Sequence, residues 1–493
     1  MKKYLFFLLI IIITFSLCGC GIFNLTPETT TSPSPSPSNT VETIDIVFDI
    51  NCYGISSPST LHLSENGLIT EPSVSNRPGY TLSGWYYYDD LSVKHFWDFN
   101  TNSMEEDTTL FAEWTLDEYT ITFDLAGGEG TTPEPVTVSY LQKVTEPDMN
   151  SGVYGINNPV KNGFVFAGWW VGGSVDNYTQ EWNFGTDLPS RDLTLHAGWG
   201  TAGSNDYYSY IELSNCIKIT NCDEDEFLND DMEDVNIPDQ INGKYVLSIG
   251  KEAFSYLDAS LNVSLPSHLT TINEKAFYSA DGLEELTIPN SVTSIGEMAF
   301  HSCSLYKVNI GSGVTNIGKM AFYQCEDLAN YSTATLIIPS NVLTIEDEAF
   351  NIASNSIYNL TLNNGLISIG DSAFMHAKIL TLNIPDSVLR IDDQAFQYCE
   401  FLTKLEFGKG IQEIGTDAFN ACANNLYVIM NSAIPPVIGN IAVFGTNVSR
   451  PNFYIEVPDG KVDVYSSSSN WSTYYPTKII DISLEGLIIY PTR

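Results

Sequence analysis

The sequence predicts a mainly β, modular chain: two small strand-built modules, then a solenoid of stacked coils with a cap at each end. Three observations predict it. A block of motifs occurs twice between residues 44 and 199. An Ile-x-x-x-Ala-Phe string then recurs eight times at gaps of 22 to 28 residues. A Pro, Gly or Asn follows the repeat strand at one fixed distance before the next phenylalanine. A sequence period of this size means units too small to fold alone, each buried by its neighbours. At 493 residues the chain is also too long for one hydrophobic core.

The N-terminus gives an address. Lys2 and Lys3 precede an apolar run from Tyr4 to Leu17. That run is shorter than the about 20 residues that span a bilayer, and it reads as a secretory signal, residues 1–19. It closes on Leu17-Cys18-Gly19-Cys20, which resembles a bacterial lipobox. The resemblance implies acylation of Cys20 and a protein held at the outer face of a cell membrane by lipid alone. Residues 20–43 form a tether. From Thr26 to Thr40 it is almost wholly Thr, Ser, Pro and Glu, a composition that favours extended polyproline II. At about 3.1 Å per residue it reaches roughly 45 Å.

The modules occupy 44–114 and 119–199. Phe48-Asp49 returns as Phe123-Asp124, Gly84-Trp85 as Gly168-Trp169, and Trp97-Asp98-Phe99 as Trp182-Asn183-Phe184. The closing Leu110-Phe111-Ala112-Glu113-Trp114 returns as Leu195-His196-Ala197-Gly198-Trp199. Alternating runs such as Tyr119 to Phe123 read as strands and Gly127-Gly128 as a turn, and the repeated tryptophans anchor small cores. The pattern resembles the internalin-type B repeat, the Listeria–Bacteroides repeat family. That resemblance implies a β-grasp-like domain of bacterial surface proteins. The first copy departs from it, with Cys52-Tyr53-Gly54 where the second has its glycine pair.

The repeats run over 249–430. Their phenylalanines are Phe254, Phe277, Phe300, Phe322, Phe350, Phe374, Phe396 and Phe419, each with Ala before it and Ile five residues before it. A long stretch after Phe322 is expected to bulge from the stack. Ile288-Pro289-Asn290-Ser291-Val292-Thr293-Ser294-Ile295-Gly296 carries a resemblance to the BspA-like leucine-rich repeat family. By the same resemblance 201–248 is an N-terminal cap and 431–493, with Trp471, a closing cap.

Nine cysteines invite a disulfide or metal reading. Cys303, Cys325, Cys399 and Cys422 each follow a repeat phenylalanine by three residues, an inward position, and read as small buried groups in a ladder. Cys216 and Cys222 are the better disulfide candidates of an exported protein, leaving Cys52 over. No CxxC pair or Cys/His cluster has zinc spacing, so no metal or other cofactor is expected. The acidic run Asp223 to Asp234 lacks the alternating spacing of a dedicated calcium loop and reads as a solvated loop with at most weak divalent-cation binding. No GxSxG, HExxH or phosphate loop occurs, and His301 and His376 sit at coil edges. Catalysis is not expected. Nor is nucleic acid: 60 acidic against 21 basic residues give a net charge of −39, without the basic field that phosphate contacts need.

Aligning the repeat strands puts two rows on their solvent face. One holds Glu285, Lys307, Thr335, Asn359, Thr381 and Lys404; the other Thr287, Asn309, Ile337, Thr361, Asn383 and Glu406. This polar ladder is the candidate binding face for a protein or cell-surface ligand of unknown identity, held by many modest contacts. The BspA resemblance implies adhesion or protein recognition. Two alternatives stand beside it. One is glycan binding by exposed Trp85, Trp97, Trp169 or Trp182; the other is a passive spacer.

Overall fold

A computed structural model describes residues 43–481, apart from 51–56, 64–66, 90–92, 104–105, 148–158, 224–233, 258–261, 330–334, 353–356 and 446–452 and single residues 173, 175, 441 and 476. Cys20, the tether, Cys52 and most of the acidic run lie outside the described residues.

Module 1 is one sheet of strands β1 (Ile44–Asp49), β2 (Leu61–Leu63), β3 (Tyr80–Tyr88), β4 (Lys94–Trp97) and β5 (Thr108–Leu116), in the order β2-β1-β5-β3-β4. Only β1 and β5 run parallel. Module 2 repeats the plan with β6 (Glu118–Asp124), β7 (Val136–Ser139), β8 (Val165–Gly172), β9 (Tyr178–Glu181) and β10 (Leu193–Ser204). The strand period of two puts alternate side chains on one apolar face. There Trp85 meets Phe48 edge-on at 5.2 Å, and Trp169 meets Phe123 at 5.0 Å. The closing tryptophans tie down the end of the first strand. Trp114 Nε1 donates to the Ile50 carbonyl at 2.9 Å, and Trp199 Nε1 to the Leu125 carbonyl at 2.8 Å.

No linker follows module 2. The last residues of β10, Thr201–Ser204, pair with β11 (Tyr208–Glu212), which pairs with β12 (Cys216–Cys222), and β12 lies parallel to Lys244–Ile249 of the first coil. One expectation is corrected here. Cys216 and Cys222 are the first and last residues of the same extended strand. At about 3.3 Å per residue their Cα atoms stand roughly 20 Å apart, three times the reach of a disulfide.

Each coil contributes two strands. A lateral row of two-residue strands runs from Thr271–Ile272 to Val437–Ile438, all parallel. A front row of three- and four-residue strands includes Glu285–Thr287, Lys307–Asn309, Leu336–Ile338, Leu360–Leu362, Thr381–Ile384 and Lys404–Phe407. Between lateral and front strands the chain rounds an arc that carries the phenylalanine. All eight phenylalanines are buried, and successive rings stack at 5.0–5.2 Å, 3–15° from parallel.

The arc has a backbone cost. The residue two before each phenylalanine, from Glu252 to Asp417, is left-handed at φ 54–57° although none is glycine. That conformation costs about 1–2 kcal/mol per residue. It aims alternate N–H groups at the next coil. Lys275 N donates to the Glu297 carbonyl at 2.9 Å, Phe277 N to Ala299 at 2.7 Å and Ser279 N to His301 at 2.7 Å.

The cysteine ladder closes the same arc. Thiols of Cys303, Cys325, Cys399 and Cys422 donate to the carbonyls of Phe277, Phe300, Phe374 and Phe396 of the preceding coils at 3.0–3.5 Å. The stack continues past the eighth phenylalanine through Val437–Ile438 and Ile455–Val457. Two short helices, α1 (Val462–Ser467) and α2 (Ser469–Tyr474), then cover it. Trp471 Nε1 donates to Pro436 at 2.7 Å and Tyr465 Oη to Ser432 at 2.8 Å.

Module 2 lies along the lateral sheet. Ser248, Thr271, Ser294 and Asn316, the outward residues of successive lateral strands, are buried beneath it. Glu181 receives Lys218 Nζ and Ser248 Oγ, both at 2.5 Å, and Asn273 Nδ2 at 3.0 Å. Further along, Asn316 Nδ2 donates to the Thr186 carbonyl at 2.5 Å, and Lys143 pairs with Glu346 at 2.6 Å. Trp170 and Tyr178 pack on Ile211, Leu213 and Cys216 of the cap.

Candidate interaction face

The front strands set the geometry of the ladder. Their period of two turns Leu286, Val308 and Leu382 inward and their neighbours outward. Both expected rows are in register: Glu285 opposite Lys307, Thr287 opposite Asn309, Ile337 opposite Thr361, Thr381 opposite Lys404, Asn383 opposite Glu406. All twelve residues of the two rows are exposed except Glu406, which is half-buried. The face is not one sheet. It breaks into segments of two, two and five strands from Glu285 onward.

Charges on the ladder are paired within it. Lys307 meets Glu285 at 2.8 Å, and Tyr306 Oη donates to the same carboxylate. Those bonds, Lys307 first, hold the Glu285 carboxyl below its usual range. Lys404 meets Glu406 at 3.2 Å, and Asn431 Nδ2 donates to Glu406 at 3.3 Å. Asn309 Nδ2 donates to Thr287 at 3.2 Å. Two open grooves follow the strand ends. One of ≈ 710 Å³ runs past Ser264, Glu285, Thr287 and Asn290; another of ≈ 430 Å³ runs past Asn364, Asn383, Asp386, Glu406 and Lys409. The smaller is lined mainly with amides and carboxylates, which suits a hydrated polar partner, whereas the larger is also lined by Val263, Leu265, Leu286 and Pro289.

A model of the BspA type leucine rich repeat region matches residues 247–336 and 328–442. The solenoid is a BspA-type leucine-rich repeat region. The Listeria-Bacteroides repeat domain matches 45–113 and 119–198, the two modules. Internalin H of Listeria monocytogenes is 34% identical over 160 residues, 31% of this chain and 25% of that protein. A protein of Evansella cellulosilytica named as a membrane protein is 32% identical over 161 residues, 31% of this chain and 22% of its own length. The chain thus spans a quarter or less of these curated relatives. Among solved structures, a leucine rich repeat protein of T. pallidum aligns with a TM-score of 0.33 at 22% identity, over 45% of this chain and 90% of that one. A leucine rich cell surface protein of Faecalibacterium prausnitzii aligns at 0.31 and 18%, over 57% and 94%.

The BspA-type repeats carry a feature the sequence rows did not reveal. Beside Thr381 and Lys404 stands an apolar rim: Leu380 is 58% exposed and Phe401 50%. Lys378 lies over the rings of Tyr358 and Phe401, at 5.2 and 6.0 Å. The residues just ahead of each strand vary from coil to coil, so no repeat position announced the rim. The histidines of the BspA-type coils serve packing. His301 stacks on Tyr278 at 4.7 Å, burial holding its pKa down, and His376 stacks on Tyr398 at 4.9 Å. Among the described residues no group of three His, Cys, Asp or Glu could hold a metal ion.

The tryptophans named for sugar stacking are corrected. Trp85, Trp97, Trp169 and Trp182 are all buried in the two module cores, so their faces meet protein, not solvent. The period of two spends them on the core side of each sheet.

Proposed function

We propose that the chain is an exported bacterial surface lipoprotein, held by acylated Cys20, whose front strand face recognises protein partners and so serves adhesion to host or neighbouring cells. The observation that carries this reading is the exposed ladder from Glu285 to Lys404, in register within each of its segments, beside the rim of Leu380 and Phe401. Paired charges that cancel locally give register and specificity, and the exposed rings supply anchors. The solenoid region also takes its family from BspA-type repeats, and one relative bears the name internalin. The excess of acid favours partners with basic patches.

The test is saturable binding to bacterial and host surface extracts, with and without Ca²⁺. The soluble form starts at Glu118, because a cut at residue 200 divides β10 and uncovers the lateral sheet. Binding that Lys404→Glu with Phe401→Ala removes supports the reading. Binding retained in that variant places recognition elsewhere. Silence at every salt concentration favours a spacer.

A further inference from the structure

Modules 1 and 2 share one fold, yet only one of them is covered. In module 2 the face opposite the core presents Trp170, Tyr178 and Glu181, and all three are buried on the cap and first coils. Strand register identifies the equivalents. Trp170 opposes Glu181 as Tyr86 opposes Phe96, and Gly172 opposes Tyr178 as Tyr88 opposes Lys94. In module 1 Tyr86 is buried by Tyr88, Phe111 and Lys94 of its own module, and the rest of that face is open. Phe96 is 65% exposed and Tyr88 52%, an apolar pair larger than isolated surface rings require. Lys94 lies 4.0 Å over the Tyr86 ring and 2.5 Å from Glu113, so the face also carries one charge of each sign.

The lateral sheet that receives module 2 is likewise only part covered. Its outward row is buried from Ser248 to Asn316, half-buried at Thr344 and Ser368, and exposed at Arg390, Glu413 and Val437. Arg390 and Glu413 are register partners, and Val437 follows Glu413 at 62% exposure. Chemistry matches across the two open surfaces: rings against Val437, Glu113 against Arg390, which its own Asp392 meets at 3.0 Å, and Lys94 against Glu413.

The junction between the modules is short and bonded. Asp117, the single residue between β5 and β6, donates its N–H to the Gly79 carbonyl at 3.0 Å and accepts from Tyr140 N at 2.8 Å. Tyr80 packs on Tyr140 at 5.9 Å, and a side chain at Gly79 would run into the Tyr140 ring. With that junction closed, both surfaces stand exposed together.

We infer that the open face of module 1 docks on the uncovered lateral strands, at Arg390, Glu413 and Val437, of a second copy of this chain. The contact uses the face that module 2 uses within its own chain, where Trp170 and Tyr178 pack on the cap and Glu181 bonds the lateral row at Ser248 and Thr271. It is heterologous, head to tail, so copies add in a row unless a ring closes.

Sedimentation velocity of the full chain over a wide concentration range tests this. The wild type gains species larger than a dimer as concentration rises. Phe96→Asp and Arg390→Glu each lose association, as does Lys94→Glu, a surface change that spares the module core. Mixing Phe96→Asp with Arg390→Glu restores one intact contact per pair and yields a dimer that grows no further. A wild type monomeric throughout, oligomers that persist in both variants, or a mixture that stays monomeric overturns the inference.

Discussion

The Glu181 carboxylate of module 2 stands 2.5 Å from the Lys218 ammonium of the cap, both shielded from water where module 2 meets the solenoid. Ser248 and Asn273 donate to the same carboxylate, and the Lys218 ammonium also donates to the Ala167 carbonyl at 3.1 Å. Breaking one half of such a buried pair strands the other charge, at about 3–5 kcal/mol. Glu181→Ala and Lys218→Ala are each expected to lower stability by about that much in equilibrium denaturation. The double variant falls well short of the sum, because neither charge is then left alone.

Asp187 gives the same interface a pH dependence. Burial, the largest influence, pushes its carboxyl up to about 7, against the opposing hydrogen bonds from Asn183 N and Gln180. The unfolded carboxyl titrates near 3.8. Between those values the folded state keeps a proton that the unfolded state has lost, so this contribution to stability falls as pH rises and levels off above about 7. Asp187→Asn, which keeps an acceptor oxygen, removes the effect. Thermal unfolding at several pH values is expected to show little difference from wild type near pH 4 and a gain growing toward pH 7, up to about 4 kcal/mol at about 1.4 kcal/mol per pH unit.

The phenylalanine ladder is the spine of the solenoid. Phe322 and Phe350 are stacked at 5.1 Å, 3° from parallel, with no exposed surface. Phe322→Ala is expected to cost about 3–5 kcal/mol, read by denaturant midpoint. The loss should unfold neighbouring coils together, since each is buried only by the next.

The cysteines of the repeats are thiols engaged with carbonyls. Burial raises the thiol pKa of Cys325 to about 12 and that of Cys303 well above its ordinary value. An aromatic disulfide reagent is expected to leave both unmodified in the folded protein and to modify them on unfolding, and reducing agent should not shift the denaturation midpoint. Cross-linked peptides joining Cys303 to Cys325 would contradict this.

What could be read from the sequence follows from repetition. Ala, Phe and the cysteines recur because each coil meets an identical neighbour, so period alone places them inward. The front rows followed from strand alignment for the same reason. The lateral docking did not, because module 2 breaks the symmetry of the stack. A trace of it is nevertheless present. Glycine follows the repeat isoleucine at Gly296, Gly318, Gly370 and Gly415, where a side chain would press on the preceding coil, 2.5 Å from the Asn273 carbonyl carbon at Gly296. Asn273, Glu346 and Asp392 replace that glycine. The first two bond Glu181 and Lys143 of module 2, and Asp392 pairs with Arg390 of its own coil. Two of the three departures from the repeat mark the contact. The disulfide expected between Cys216 and Cys222 failed for the opposite reason: spacing in sequence was taken as closeness, and the strand between them is extended.

The most direct test of the account is binding by the front face. A surface plasmon measurement compares residues 118–493 with its Lys307→Glu, Lys404→Glu and Phe401→Ala variants against a captured surface-protein partner. The account predicts saturable binding weakened in each variant, most in Phe401→Ala combined with Lys404→Glu, and unchanged by an Arg390→Glu control on the lateral sheet. Equal binding by all the front-face variants, or loss only in Arg390→Glu, would contradict it.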